Sequence, residues 1–284
     1  MKYLAMFFLL VLHFDGKTVF ASDPTIVRFG HFPNITHAQA LVAHHMSRSG
    51  NGWFEKRPGQ DAEIQWFVYN AGPAAMEAVF ADSIDLTYVG PSPALNACAR
   101  SGGKEIRVIG GAACRVWLGT QGFNITPLGG DAQVIPTANP DQLILFQRGD
   151  IDGAWTVEPW VSRLELEGKA KVYLEQTDAI TTVLVCSTSF LDRHHDLVTK
   201  LVKAHSELAA WINQHPVEAQ GLARQELTSE MKRGFSAELI ERSWRRLHFV
   251  TEISREPFNQ FLSDAQKVGF LRKSIDLSRL VEVP

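Results

Sequence analysis

The sequence predicts an α/β protein whose two lobes face each other across a cleft. Strand-like and helix-like segments alternate between residues 26 and 110, and the first three predicted strands end at proline, asparagine or glycine. Two segments, 84–89 and 151–157, repeat one pattern: each begins with Ile-Asp, carries an aromatic residue (Tyr88, Trp155) and stops at a proline before a new helix. Each repeat therefore points the carboxyl end of a strand at a helix N-terminus, where open α/β sheets bind ligands.

The first lobe is predicted to have the order βαβαβαβ. Strands are expected at residues 26–32, 64–69, 84–89 and 106–110, with helices at 37–46, 73–80 and 93–100 between them. Short crossovers of this kind favour a parallel sheet with right-handed connections. Because parallel strands end at one edge, we expect three loops to meet at one rim: Pro33-Asn34, Asn70-Ala71-Gly72 and Gly90-Pro91-Ser92.

The rest of the chain restarts the pattern and then becomes helical. In the second lobe, helices are expected at residues 115–121, 140–147 and 159–167, and strands at 133–135, 151–157 and 171–174. Residues 179–187 are predicted to return to the first lobe as a strand. From Ser189 onward the periodicity predicts one long amphipathic helix ending at His215-Pro216, followed by helices at 218–227, 237–247 and 255–269.

The N-terminal residues indicate export. Lys2 precedes an apolar run over residues 4–12, and Val19-Phe20-Ala21 places small residues where a signal peptidase cleaves, so residues 1–21 are predicted to be a signal peptide removed after Ala21. The apolar run is too short for a membrane anchor, which needs about 20 residues. We therefore expect a periplasmic protein. A net charge of −3 without a long basic run argues against nucleic acid as a partner.

The motifs of the common enzyme classes are incomplete. The adjacent pairs His44-His45 and His194-His195 do not share a helix face and lie in no zinc-protease pattern, so we expect no metal site. The segment Gly90-Pro91-Ser92-Pro93-Ala94 lacks the second glycine of a nucleophile elbow, and no phosphate-binding loop is present. Neither catalytic residues nor a cofactor is predicted. Three cysteines are expected to be buried and to behave as small apolar residues: Cys98, Cys114 and Cys186.

The remaining feature is a set of helix N-termini, which favour a small anion without any charged ligand residue. Short polar side chains at the same edge could assist: Asn34, Thr36, Asn70 and Ser92. Aromatic residues could cover a ligand or simply fill the core: Tyr69, Tyr88, Trp155 and Trp160. Glu158 has two interpretations as well, either complementing a helix dipole or accepting a hydrogen bond from a ligand ammonium group.

Three segments carry a resemblance to a known family: VRFGHFPNITHAQALVA, YNAGPAAMEAVFADSIDLTYVGPSPAL and VIPTANPDQLILFQRGDIDGAWTVEPWVSRLE. They are similar to nitrate/sulfonate/taurine-type substrate-binding proteins of ABC importers, from about Ile26 to the C-terminus. The resemblance implies a two-lobed periplasmic-binding-protein fold (type II-like), a monomer that binds a small oxyanion and delivers it to a membrane permease. It implies ligand contacts at Asn34, Thr36, His37, Asn70, Gly72, Gly90, Pro91, Ser92, Trp155, Glu158 and Trp160. An enzyme of the same fold and a non-transporting sensor are the alternatives.

The same comparison predicts the domain limits and one irregularity. Lobe one would comprise residues 22–113 and 188–284, and lobe two residues 114–187. Gly110-Gly111-Ala112-Ala113 runs straight into Cys114, where the family has a polar turn at a further helix N-terminus. The resemblance therefore implies an internal deletion near 113/114 that shortens the second lobe and removes one wall of the cleft.

Overall fold

A computed structural model describes residues 23–59, 62–101, 106–107, 125–126, 129–131, 133, 135, 137–175 and 180–250, with Glu256, Asn259, Ser263 and Gln266 as single positions. The predicted signal peptide and the predicted helix at 115–121 lie outside this part of the chain. So does the predicted helix at 255–269, apart from those four helical positions. In the part that the structure describes, no helix is long and apolar enough to cross a membrane.

In the described residues, seven strands form two sheets. They are β1 (Thr25–His31), β2 (Ala62–Val68), β3 (Leu86–Val89), β4 (Ile106–Arg107), β5 (Ile125–Thr126), β6 (Gly129–Gly130) and β7 (Val183–Ser187). The large sheet has the order β2-β1-β3-β7-β4 and the small one pairs β5 with β6. β1 lies beside both β2 and β3 in parallel, so their carboxyl ends share one edge as predicted.

The strands predicted for the first lobe, β1 to β4, run in one direction as expected, and the returning strand β7 makes the sheet mixed. This strand enters between β3 and β4 and runs antiparallel to both. The chain leaves the sheet after β4 at the same edge where β1, β2 and β3 end. A strand that returns from that edge must run in the opposite direction, which explains the mixed sheet. The predicted return of residues 179–187 to the first lobe is confirmed by β7.

The helices follow the periodic segments closely. They are α1 (Ala38–Arg48), α2 (Gly72–Phe80), α3 (Pro91–Ser101), α4 (Gln142–Arg148), α5 (Trp160–Gly168), α6 (Thr188–Arg193), α7 (His195–Gln214), α8 (Pro216–Met231) and α9 (Ala237–Trp244). Single 3₁₀ turns, Ile35–His37 and Asn139–Asp141, precede α1 and α4. Local chemistry sets several ends, because Ser187 and Ser236 cap α6 and α9 and Pro216 begins α8.

Three strands predicted for the second lobe are not formed in the described residues. Residues 151–157 and 171–174 have no strand partner, and Gln133 and Ile135 are irregular. A β-strand needs a neighbour that accepts its backbone hydrogen bonds, and alternation in the sequence does not provide one. Most of the second Ile-Asp segment is also exposed, from Asp152 to Trp155. The two copies of the motif therefore have different structures.

Two apolar clusters cover the large sheet. The larger one joins β1, β2 and β3 to α1, α7, α8 and α9, and Phe29 stands at its centre. The Phe29 ring is stacked on Trp66 of β2 at 5.0 Å and on Tyr88 of β3 at 5.4 Å, so three neighbouring strands are joined at one level. A smaller cluster joins β3 and β7 to α2 and α3, and it buries Cys98 as predicted.

An ion pair fixes β1 against β3. The carboxylate of Asp85, only 2% exposed, accepts hydrogen bonds from the Arg28 backbone N (2.8 Å), Nε (3.0 Å) and Nη2 (2.6 Å). The Asp85 backbone N donates to the Arg28 carbonyl at 2.8 Å, and Ser187 N of β7 donates to the Asp85 carbonyl at 2.8 Å. The aspartate of the first Ile-Asp motif therefore connects three strands.

Candidate functional site

The carboxyl edge of β1, β2 and β3 carries three helix starts. The chain turns from these strands into the 3₁₀ turn before α1, into α2 at Gly72 and into α3 at Pro91. We call this edge the rim. The starts of α2 and α3 are in close contact at the rim. If Gly72 carried a Cβ atom, that atom would lie only 2.1 Å from Pro93 Cγ. Tyr69 N also donates to the His31 carbonyl at 2.9 Å. The loops predicted to meet at one edge therefore do so.

Two of the helix starts at the rim, those of the 3₁₀ turn and α2, have no capping side chain that would oppose their partial positive charge. The cap residue of the 3₁₀ turn is Asn34 and that of α2 is Ala71; both are extended and neither makes a side-chain capping bond. Pro73 occupies the first turn of α2, where its missing N–H costs nothing. Backbone N–H groups at helix starts bind anions through their hydrogen bonds and the helix dipole. The rim can therefore hold a small anion.

Three predicted site residues from the first loop are buried. They are Asn34, Thr36 and His37, and the Asn34 Oδ1 atom has no hydrogen-bond partner although it is shielded from solvent. Because an amide can rotate by 180°, Asn34 can offer a ligand either an acceptor or a donor. Burial lowers the pKa of His37 well below its ordinary value, so this imidazole is neutral at pH 7. The first loop therefore presents polar groups that carry no formal charge to a ligand.

The other first-lobe candidates lie along the same rim at different depths. Asn70 is exposed, Gly72 and Gly90 are half-buried, and Pro91 is buried. Ser92 is the second residue of α3. Of the aromatic residues considered for covering a ligand, Tyr69 is half-buried at the rim. Tyr88 belongs to the core instead, because it is only 1% exposed and its hydroxyl meets His205 Nδ1 at 2.8 Å.

The second-lobe candidates have mixed environments. Trp155 is 37% exposed, whereas Trp160 is buried and its indole Nε1 has no hydrogen-bond partner. The neighbouring Thr156 hydroxyl is also buried without a partner. Thr156 is not among the site residues predicted from the sequence, although its position between the candidates Trp155 and Glu158 could have indicated it. Buried polar groups are nearly always hydrogen-bonded, so unpartnered ones indicate where a ligand or water binds.

Both carboxylate oxygens of Glu158 accept hydrogen bonds from other groups of the protein. Its carboxylate accepts from Ser162 N (3.1 Å), Ser162 Oγ (2.9 Å) and Arg246 Nη1 (2.9 Å). This arrangement agrees with the interpretation in which Glu158 complements the start of α5. It disagrees with the interpretation in which Glu158 accepts from a ligand ammonium group, because neither carboxylate oxygen is unused. The structure therefore gives Glu158 a positioning role next to Trp160.

Arg246 ties α5 to the segment after α9. It also contacts Glu165 (2.8 Å) and Glu175 (3.2 Å), while Arg242 reaches Glu165 at 3.1 Å. Hydrogen bonds from Arg246 hold the pKa of Glu165 below its ordinary value. Since α9 packs in the larger apolar cluster, this ionic cluster connects α5 to the core beside the large sheet.

The architecture and rim together define a chain with the periplasmic-binding-protein fold. Two solved structures share it: the alkanesulfonate-binding protein SsuA from Xanthomonas axonopodis pv. citri bound to MOPS, and the periplasmic aliphatic sulphonate binding protein SsuA from Escherichia coli. The first has a TM-score of 0.66 at 16% identity and covers 89% of this chain and 96% of its own. The second has a TM-score of 0.64 at 17% identity, with 91% and 97% covered.

Sequence comparisons agree with the fold. Residues 111–225 match the NMT1-like family. The chain is 24% identical over 262 residues to an aliphatic sulfonates-binding protein of Bacillus subtilis (strain 168), covering 79% of this chain and 77% of that protein. The resemblance to sulfonate- and nitrate-type substrate-binding proteins, which the sequence motifs predicted, is confirmed by these matches.

Replacing Arg246 tests the ionic cluster. We expect Arg246→Gln to lower the free energy of unfolding by about 3 kcal/mol, because it leaves the buried Glu158 carboxylate without its cation. Arg245→Gln is the matched control, since the Arg245 side chain is 74% exposed and pairs with Glu241 one turn earlier. The control should change stability by less than about 0.5 kcal/mol in urea unfolding. Equal effects of the two substitutions would contradict the assigned role.

The burial of His205, whose Nδ1 meets the Tyr88 hydroxyl, predicts a pH dependence. Burial lowers the pKa of His205 to about 4, so between pH 6.5 and 4 the unfolded chain binds a proton that the folded chain does not. Stability should therefore fall as the pH falls through this window. His205→Gln should reduce that slope by up to about 1.4 kcal/mol per pH unit. The measurement is urea unfolding at pH 7 and pH 5, and the exposed His195→Gln should leave the slope unchanged.

Proposed function

We propose that this protein is the solute-binding component of an ABC importer and that its ligand is a small oxyanion, best represented by an aliphatic sulfonate. It is exported with residues 1–21 as a cleaved signal peptide, acts as a periplasmic monomer and delivers its ligand to a membrane permease without catalysing a reaction. The observation that carries this proposal is the rim, where three helix starts meet at the ends of three parallel strands.

The chemistry of the rim favours an anion held by neutral groups. Helix N–H groups form charge-assisted hydrogen bonds to an oxyanion. The neutral His37 adds no cation, and the carboxylate of Glu158 is already neutralised by Arg246. The unpartnered Asn34 side chain can bind a second polar group of the ligand.

An organic tail on the ligand fits the aromatic residues. Tyr69 is half-buried at the rim, and Trp155 is partly exposed in the second lobe. Aromatic walls with few polar groups are typical of small-molecule sites. The names of the relatives agree with this chemistry, since the curated relative and both solved structures are sulfonate-binding proteins. Closure of the two lobes over the ligand would present the bound form to the permease.

A ligand panel tests the proposal directly. We expect methanesulfonate, butanesulfonate, taurine or MOPS to raise the thermal midpoint, because a ligand that binds the folded state stabilises it by about 2.7 kcal/mol at a hundred times its dissociation constant. Nitrate should stabilise less than the sulfonates. Butylammonium is the control of opposite charge and should have no effect. Turnover of any sulfonate, or no response to the whole panel, would contradict the proposal.

The same panel tests the proposed deletion near 113/114. It should be repeated on a version of the chain that carries a family-typical segment after Ala113. A restored wall of the cleft should strengthen sulfonate binding. Equal responses of the two proteins would contradict the proposed deletion, whereas the proposed function would stand.

A charge placed at Asn34 tests the location of the site. Asn34→Asp should weaken sulfonate binding by at least about 100-fold, because like charges brought together cost several kcal/mol. Asn96→Asp is the matched control: it adds the same charge at an exposed position of α3 and should leave affinity unchanged. Isothermal titration calorimetry gives both affinities. Equal losses would place the site away from the first loop.

A further inference from the structure

A second polar cluster lies behind the rim, between α1, α8 and the end of β1. It contains His31 and His44 together with Glu226 and Glu230, which are one helical turn apart on α8 and share a face. The ligand atoms of His44, Glu226 and Glu230 all lie within 4.8 Å of one another. None of these four residues takes part in the anion site described above.

Glu226 is the unusual member of this cluster. Its side chain is 0% exposed, yet neither carboxylate oxygen has a hydrogen-bond partner in the described structure. Two nitrogens are near Oε1, His44 Nδ1 at 3.0 Å and Arg48 Nε at 3.1 Å, and His45 Nδ1 lies 3.5 Å from Oε2. Arg48 Nε, however, donates to His44 Nε2 at 3.2 Å, and His44 Nδ1 is paired with His31 Nε2 at 2.9 Å. Arg48 therefore balances the charge of Glu226 without completing a hydrogen bond to either oxygen, and a buried carboxylate in this state favours a further ligand.

The atom separations fit a small divalent cation. His44 Nδ1 lies 3.0 Å from Glu226 Oε1, 3.8 Å from Glu230 Oε1 and 2.9 Å from His31 Nε2. Metal–ligand bonds of about 2.0–2.2 Å in a tetrahedron place neighbouring ligand atoms about 3.3–3.6 Å apart. These three distances from His44 Nδ1 lie on both sides of that range, so His44 is placed to bind the same ion as each of the other three residues after side-chain movements.

The types of ligand select the metal. Imidazole nitrogens with carboxylate oxygens suit zinc and related divalent transition ions better than calcium or magnesium, which prefer oxygen ligands alone. His31 is already oriented for this role, because its Nδ1 lies 3.2 Å from the Phe32 carbonyl and can donate to it. That bond leaves Nε2 with a lone pair facing the cluster. Metal-binding histidines usually carry such a second hydrogen bond.

The guanidinium group of Arg48 supplies the positive charge that a metal ion would bring to this cluster. It pairs with both Glu226 and Glu230, and its outer nitrogen Nη1 donates to Ser229 Oγ at 3.0 Å. Its side chain is nevertheless 44% exposed, so it can swing into solvent. That movement would release His44 Nε2, which could then carry the ring proton while Nδ1 faces the metal.

We propose that His31, His44, Glu226 and Glu230 form a site for a divalent transition cation of the zinc type, and that Arg48 competes with the metal for it. The bound ion would fasten α8 to α1 and to β1 within the first lobe. The site is independent of the oxyanion site, so failure of one proposal leaves the other intact.

The test uses the full-length protein after treatment with a chelator. Zinc chloride should bind in a 1:1 ratio by calorimetry and raise the thermal midpoint, and cobalt(II) should give the visible absorption of a tetrahedral site. Glu230→Gln, at the more exposed edge of the cluster, should weaken zinc binding at least about tenfold. His44→Gln should abolish it, and Glu230→Gln keeps the test decisive if the His44 variant fails to fold.

Replacing Arg48 tests whether its guanidinium group competes with the metal ion. Arg48→Gln should strengthen zinc binding at least about tenfold, because it removes the competing cation. Arg57→Gln is the matched control: Arg57 also pairs with a glutamate, Glu207 at 2.8 Å, but lies away from the cluster. Zinc binding that Glu230→Gln leaves unchanged, or no binding to either the wild type or Arg48→Gln, would overturn the site. Equal affinities for the wild type and Arg48→Gln would overturn the competition.

Discussion

The contact between Arg28 and Asp85 is the constraint on which the first lobe depends. Asp85 lies just before β3 and is almost wholly buried, so its carboxylate must be fully bonded, and Arg28 of β1 supplies three donors for it. The pairing sets how far β3 extends beside β1. It therefore places the starts of α1 and α3 at one level of the rim, with the Phe29 stack directly behind them. A shift of one residue would exchange the β3 side chains that face the two apolar clusters on either side of the sheet.

The two Ile-Asp motifs show what a sequence pattern can and cannot predict. Both predict a segment that begins after a helix and ends at a proline, and both segments do so. The first becomes a strand because Asp85 finds Arg28 and β3 finds two neighbours. The second does not, since Asp152 is exposed and residues 151–157 lie beside no strand that pairs with them in the described structure. Pairing depends on distant residues, and local pattern carries no information about it.

The same distinction applies to the candidate sites. The rim could be predicted because it needs only the ends of parallel strands, which short-range signals such as Pro33 and Gly72 mark in the sequence. The functions of Glu158 and Tyr88 could not, because each depends on a partner far along the chain, Arg246 and His205. The adjacent pair His44-His45 predicts no metal site by its spacing, yet both rings lie within 3.5 Å of Glu226, and the glutamates belong to α8, which no spacing rule connects to α1.

The buried acids explain how the proposed anion site would work without a cation of its own. Three acidic residues in the described chain are almost wholly buried, and each has an arginine beside it: Asp85 with Arg28 (2.6 Å), Glu158 with Arg246 (2.9 Å) and Glu226 with Arg48 (3.1 Å). A helix start carries only about half a unit charge, so one uncompensated carboxylate nearby would cancel it. Pairing each acid leaves the partial charges at the rim to act on the ligand. A divalent ion replacing Arg48 at Glu226 would preserve this balance, because it supplies the positive charge that the arginine removes.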